Sequence, residues 1–336
     1  MNRTSVGCLI LTLTFAAAAA AAQVADSARI YLQRGNTAIF GGKHQEAVEQ
    51  YARALRFDPG LSGAVYNTAC AYSLMGRKKE AIKWLSRAVD LGNYMFDGDG
   101  DFDNIRGIKE YAALKQRADR LLAAAKDKAY PPVILAPAGG DAATPRPLLV
   151  ALHGYGNNAA DFSRAFAWIP DRLGYVVCCP YGPEVMGTTS FSWGERPLAA
   201  GQRVREAIDA VRRQYAIDTA RIILAGFSQG GGYAYDLGVR LAGAFQGVIP
   251  MGAGWFDTTL ATQIPVAAQR GTRFFVMLGA LEHEERQAVN RDAVRRLAAG
   301  GVAVSYTLYP GVGHALPEDR DYELERAIRW IERGMP

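Results

Sequence analysis

Residues 41–55, GGKHQEAVEQYARAL, and residues 75–89, MGRKKEAIKWLSRAV, align at an offset of 34 positions. Gly42 falls on Gly76, Lys43 on Arg77, Glu46 on Glu80, Ala47 on Ala81 and Ala54 on Ala88, with Leu55 on Val89. A period this long exceeds any single helix or strand, so it marks a supersecondary unit used twice. Such a unit has an apolar face that only a neighbouring unit covers, which commits this part of the chain to stacked helix pairs. Two copies fall short of the roughly three that a free-standing stack needs. The helical stretch near Lys109–Lys126 is therefore expected to cap them.

The repeat resembles the tetratricopeptide family in its residues as well as its period. Gly35, Ala38, Gly42, Ala47, Tyr51, Ala54 and Pro59 fall on the first repeat's pattern, and Ala69, Tyr72, Gly76, Ala81 and Ala88 on the second. Small residues let paired helices approach, while the glycines serve the turns between them. The resemblance implies an all-α repeat domain over residues 24–126 and a protein or peptide partner for it. Just beyond lies FDGDGDFDN, residues 96–104, where Asp97, Asp99 and Asp101 alternate as in a calcium loop. Phe102 stands where that loop needs glycine, and Ile108 where it needs glutamate. An acidic turn capping the next helix is the better reading, and no metal is expected.

From about Tyr130 the pattern changes. Short apolar runs at 132–136, 147–154, 174–180, 221–226, 247–252, 273–279 and 304–311 alternate with amphipathic stretches, notably 201–215, 232–243, 285–299 and 322–334. Continuous apolar strands between amphipathic helices indicate a mostly parallel sheet with helices on both faces. Ligands in such folds sit beyond the carboxyl ends of the strands.

The segment RIILAGFSQGGGYAY, residues 221–235, places Ser228 between Gly226 and Gly230, straight after one of these strands and before a helix. A G-x-S-x-G pentapeptide alone is a moderate signal, but this context is the one that a nucleophilic serine needs. The sharp turn exposes the hydroxyl, the glycines leave room where a Cβ would clash, and the helix amino terminus favours a developing negative charge. Of the four histidines, His44 lies in the repeats and His153 precedes the serine in HGYG. For the chain order serine, acid, histidine, His283 and His314 remain; His314 follows the last strand, whereas His283, among Glu282, Glu284 and Glu285, reads as a solvated loop residue.

Four separated pieces then resemble the α/β-hydrolase superfamily, close to the carboxylesterase/phospholipase and dienelactone hydrolase-like families: PLLVALHGYGNNAADF (147–162), ILAGFSQGG (223–231), VMLGALE (276–282) and YPGVGHALP (309–317). The resemblance implies that Ser228 is the nucleophile and His314 its base. It implies an oxyanion hole from the backbone N–H groups of Gln229 and Tyr155, with His153 structural and no cofactor. Relatives usually place aspartate three residues after the glycine ending the preceding strand, whereas Gly279 is followed here by Ala280, Leu281 and Glu282. Glu282 is the expected acid, because the role needs a carboxylate within reach of the imidazole rather than one chain length. Glu284 and Asp257 remain alternatives. Met186, Phe191 and Trp193, in the long segment 183–202, are candidates for lining the substrate pocket or for capping the sheet edge.

The first residues carry Arg3, an uncharged run from Val6 to Ala22 and the small residues Ala20–Ala22, the pattern of a signal peptide over 1–22. It implies a periplasmic or secreted protein with no stable membrane insertion after cleavage; Ser5 before Cys8 argues against a lipid anchor. Loss of Arg3 lowers the formal net charge from +5 to +4. Dispersed basic residues give little support for nucleic acid as a ligand. Cys70, Cys178 and Cys179 remain, an odd number that reads as buried small side chains rather than a disulfide framework.

These features combine into a repeat domain at 24–126 followed by an α/β-hydrolase domain at 130–336. The expected activity is hydrolysis of carboxylic esters through an acyl-enzyme. Alternatives are a lysophospholipase, thioesterase or serine peptidase on the same residues, or a degenerate hydrolase that binds proteins through its repeats.

Overall fold

The computed structural model describes residues 27–139 and 143–333. The signal peptide expected at 1–22 lies outside them. The chain divides into two compact units, one comprising residues up to Leu91 together with Phe96–Lys115, the other Gly92–Met95 and residues from Gln116 onward.

In the first unit, helices α1 (27–40), α2 (His44–Phe57), α3 (Ser62–Leu74) and α4 (Lys78–Asp90) follow one another through short turns. Ala47, Tyr51 and Ala54 of α2 bury against Ala64 and Val65 of α3 and Ala88 of α4. The Tyr51 ring lies over Gly35, where any side chain would collide with it. Gly42 and Gly76 both sit at φ +71° past a helix end. Lys43 N–H then reaches Ala38 O at 2.9 Å, and Arg77 N–H reaches Tyr72 O at 2.8 Å. These are the back-bonds of a glycine-terminated helix, so the repeat's glycines stand where the backbone must turn left-handed. The acidic turn behaves as a cap: Asp99 accepts from Asp101 N–H at 3.0 Å and from the Tyr66 hydroxyl at 2.7 Å. What it caps is a single 3₁₀ turn, Gly100–Phe102, ahead of α5 (Lys109–Lys126).

In the second unit, seven strands form one sheet in the order β1 (Val133–Leu135), β3 (Val176–Cys179), β2 (Arg146–Leu152), β6 (Ile217–Phe227), β7 (Gly247–Met251), β8 (Arg273–Gly279) and β9 (Val304–Tyr309). Only β1 runs antiparallel to its neighbour. Both faces are covered, which is why the strands read as unbroken apolar runs. Leu148, Val150 and Leu152 face α8 (Pro197–Arg212), α9 (Gln229–Arg240), α10 (Ile264–Gln269) and α11 (Glu284–Ala299). Leu149 and Ala151 face α6 (Ala159–Ser163), α7 (Ile169–Leu173) and α12 (Arg320–Arg333). Cys70, Cys178 and Cys179 are buried free thiols. Among the described residues no helix is long and apolar enough to cross a membrane.

Two features depart from expectation. A small antiparallel pair, β4 (Glu184–Val185) and β5 (Phe191–Ser192), stands in the segment 183–202, where no strand was expected. Gly92–Met95 also belongs to this unit rather than to the repeats: Tyr94 N–H donates to Met186 O at 3.1 Å, and Thr189 N–H to Gly92 O at 3.2 Å. The expected single boundary between 126 and 130 is thus replaced by three crossings, the last of them inside α5 after Lys115.

Candidate active site

Strand β6 ends in a turn that no ordinary residue adopts freely. Ser228 has φ 57° and ψ −114°, the one non-glycine residue at positive φ among the described residues. The neighbours make the turn possible. A Cβ on Gly226 would run into the Gly230 carbonyl, and one on Gly230 would lie 2.6 Å from His153 O. Ser228 N–H is anchored on Met251 O at 2.8 Å, and α9 starts at the next residue, directing its positive end at the serine.

His314 and Glu282 reach the same place from the loops after β9 and β8. Ala280 N–H donates to Tyr309 O and Leu281 N–H to Val312 O, both within 2.9 Å, so the two loops are laced together. Gly279 is needed there, since a side chain would strike the Val312 and Gly313 carbonyls. The result is a contiguous line: Ser228 Oγ to His314 Nε2, 2.9 Å, and His314 Nδ1 to Glu282 Oε1, 2.7 Å. A carboxylate can only accept, so Nδ1 carries the ring proton and Nε2 accepts from the serine hydroxyl. The Phe227 ring stacks on the imidazole, centroids 4.9 Å apart. Burial pushes the His314 pKa below its ordinary value; Glu282 opposes that shift, while Arg286 and His283 add to it. The imidazole is therefore neutral at neutral pH, as a proton acceptor must be.

The alternative acids are engaged elsewhere. Glu284 pairs with Arg291, and Asp257 receives Arg240 at 2.6 Å and caps a 3₁₀ turn through Thr259 N–H. His283 is the exposed residue before α11. Gln229, the first residue of α9, has its backbone N–H at the helix terminus; its side chain accepts from Trp193 N–H at 3.0 Å and donates to Ser192 Oγ at 3.2 Å. Tyr155 lies 64% exposed in the turn after β2. That turn sits beside the serine, with Gly154 so placed that a Cβ on it would be 3.4 Å from the Ser228 Cβ.

His153 is wholly buried, accepting Gly182 N–H at Nε2 (3.0 Å) and meeting Gly154 O at Nδ1 (2.7 Å). Burial lowers its pKa from 6.5 to about 4. Both ring nitrogens are taken up by backbone, which leaves none for a substrate.

Met186, Phe191 and Trp193 do not line an open pocket, contrary to one of the two readings. They are 3%, 0% and 0% exposed. Trp193 Nε1 donates to His153 O at 2.8 Å. Phe191 exchanges backbone hydrogen bonds with the turn, donating to Asn157 O and accepting from Gly156 N–H at 2.9 Å each, and its ring packs on Tyr130 and Tyr181. Strand β5 therefore fastens the HGYG turn and the residue after Ser228 to one another. Sequence reasoning missed this, and it missed Arg286, whose guanidinium touches both His314 and Glu282. The spacing Glu282 to Arg286, four residues across a helix start, was a signal that could have found it.

For metals, the described residues bring together one group, Cys70, Asp99 and Asp101, with ligand-type atoms within 4.8 Å of one another. Burial holds the Cys70 thiol well above its usual pKa, and it shares a hydrogen bond with Asp101. A protonated thiol so engaged is a poor ligand.

The family model of the PHB depolymerase esterases matches residues 132–273, and a tetratricopeptide repeat model matches 28–60 and 62–91. A bifunctional acetylxylan esterase/xylanase from Neocallimastix patriciarum is 31% identical over 130 residues, which is 38% of this chain and 19% of that protein. The chain thus spans about a fifth of that relative's length. An uncharacterized protein from Bacillus cereus superposes with a TM-score of 0.51 at 18% identity, covering 91% of this chain and 98% of its own. Acyl-protein thioesterase 2 of Zea mays gives a TM-score of 0.48 at 19% identity, over 60% of this chain and 98% of that one. Strand order, the strained serine turn and the two family models agree on an α/β-hydrolase fold preceded by an N-terminal tetratricopeptide repeat domain.

Proposed function

We propose that the chain is an exported serine hydrolase acting on carboxylic esters, with Ser228 as nucleophile, His314 as base and Glu282 as its orienting acid. The observation that carries this reading is the unbroken line Ser228 Oγ, His314, Glu282 at 2.9 and 2.7 Å, on a serine held at positive φ. Ser228 Oγ attacks the ester carbonyl carbon as its proton passes to His314 Nε2. The tetrahedral oxyanion takes hydrogen bonds from the Gln229 and Tyr155 backbone N–H groups. Its collapse breaks the C–O bond, and Nε2 returns the proton to the departing alcohol, leaving an acyl-Ser228. Water repeats the sequence to free the acid and the serine. Glu282 holds Nδ1–H throughout and stabilises the imidazolium. The match to esterase families and the acetylxylan esterase named for the relative support an ester as the bond cleaved. The repeats are proposed to bind a protein or peptide, and the leader read in the sequence supports export to the periplasm or beyond.

The test is intact-mass spectrometry after treatment with a neutral fluorophosphonate. One adduct is expected on the native chain, none on Ser228→Ala, and slow labelling on Glu282→Gln. Absence of any adduct on the native chain overturns the reading.

A further inference from the structure

A serine, a histidine and a carboxylate complete the relay, yet a fourth charged group lies against it. Arg286, in the first turn of α11, places Nη1 2.6 Å from His314 Nδ1, 2.8 Å from His314 Nε2 and 3.3 Å from Gly252 O. Its Nε faces Glu282 Oε2 at 3.4 Å. The remaining nitrogen, Nη2, makes no hydrogen bond or ion pair among the described residues, and the side chain is 25% exposed.

This placement is awkward for a resting clamp. Once His314 takes the serine proton, two cations in contact share the single carboxylate of Glu282, and like charges so close disfavour the very state that catalysis needs. His283, the other titratable group facing the ring, adds no negative charge. An anion arriving from the substrate would relieve the conflict. A guanidinium presents a planar fork that fits a carboxylate with two parallel hydrogen bonds, and the unpartnered Nη2 supplies one of them.

We propose that Arg286 selects esters that carry a carboxylate close to the scissile bond. The inference rests on the Ser228–His314–Glu282 reading and names the substrate class for that same site. The substrate carboxylate takes Nη1 and Nη2 and draws the guanidinium off the imidazole. His314 is then free to receive the serine proton and to hand it on, so the anion is recognised and also speeds the transfer, while neutral substrates still react more slowly.

The test compares kcat/KM for matched charged and neutral esters, with buffer hydrolysis subtracted. On the acyl side the pair is mono-(4-nitrophenyl) glutarate and its carboxamide, and on the alcohol side 3-acetoxybenzoate and 3-acetoxybenzamide. Native enzyme is expected to prefer the charged member of one pair by about tenfold or more, and the pair concerned assigns the side. Arg286→Met should bring that ratio to about one, and Arg286→Lys should restore part of it. A merely structural role would lower both members of a pair alike and leave the ratio unchanged. Equal rates on native enzyme in both pairs, or a preference that Arg286→Met keeps, overturns the proposal; the native comparison decides even where a variant fails to fold. Fluorophosphonate labelling of the same preparations separates the two failures. Labelled enzyme without charge preference refutes the selection by Arg286 alone, whereas unlabelled enzyme refutes the relay beneath it.

Discussion

Replacing Ser228 by glycine should give a more stable protein than replacing it by alanine, although neither variant keeps the hydroxyl proposed as nucleophile. Both lose Oγ and its 2.9 Å hydrogen bond to His314, so that loss cancels in the comparison. What differs is the backbone. A residue with a Cβ at φ 57°, ψ −114° carries strain on the order of 2 kcal/mol, which alanine keeps and glycine sheds. Against this, glycine has more freedom to lose on folding, about 0.7 kcal/mol, and the half-buried Cβ contributes little more. The balance favours Ser228→Gly by about 1.3 kcal/mol, or roughly 3–5 °C in melting temperature for a unit of this size. Urea unfolding followed by tryptophan fluorescence reads it directly, because Trp168, Trp193, Trp255 and Trp330 all lie in the hydrolase unit. Equal midpoints, or a less stable glycine variant, would refute the claim that this turn stores strain.

Two further outcomes follow from the scaffold around the serine. Trp193→Phe leaves the buried His153 carbonyl without its 2.8 Å donor, at about 1–3 kcal/mol; kcat should fall on charged and neutral esters alike while KM stays near its native value, and a raised KM with kcat intact would make Trp193 a pocket wall after all. His153 should make stability depend on pH. Its folded pKa of about 4 lies below the ordinary 6.5, so between those values the unfolded chain binds a proton that the folded chain refuses. Stability is therefore full above pH 6.5 and is lost as pH falls toward 4. Urea midpoints at pH 7 and 4.5 should differ more for the native chain than for His153→Gln, and identical differences would sink the assignment.

The pattern of strands and helices was legible because each element carries its own signal. Continuous apolar runs such as 273–279 match β8 residue for residue, and the stretch before Ser228 lies within the longer β6. Ser228 and His314 could be singled out because the roles proposed for them demand a strand end, a turn and a chain order. Glu282 was legible by position, yet only the lacing of the β8 and β9 loops separates it from Glu284 and Asp257. Strand β5 was hidden since two residues are too few for a period, and an aromatic in a glycine-rich loop reads equally as pocket or prop. The pairing of 92–94 with 186–189 is made by backbone groups, and its trace in the sequence, glycine at 92 and 187 where a Cβ would collide with the facing segment, reads as ordinary loop glycine. Arg286 escaped because a basic residue on the first turn of a helix is ordinarily solvated.

Gly92–Met95 makes the hydrolase unit discontinuous along the chain, interrupted by residues 96–115. During synthesis these four residues emerge long before residues 186–189, so their hydrogen bonds close only after about ninety further residues are made. A fragment begun at residue 116 or 130 would keep every residue of the relay and still leave Met186 O and Thr189 N–H without their native partners. The separable catalytic piece of this protein is accordingly not a single stretch of sequence, and a gene fragment cut at the repeat boundary removes part of the support on which β4 and β5 rest.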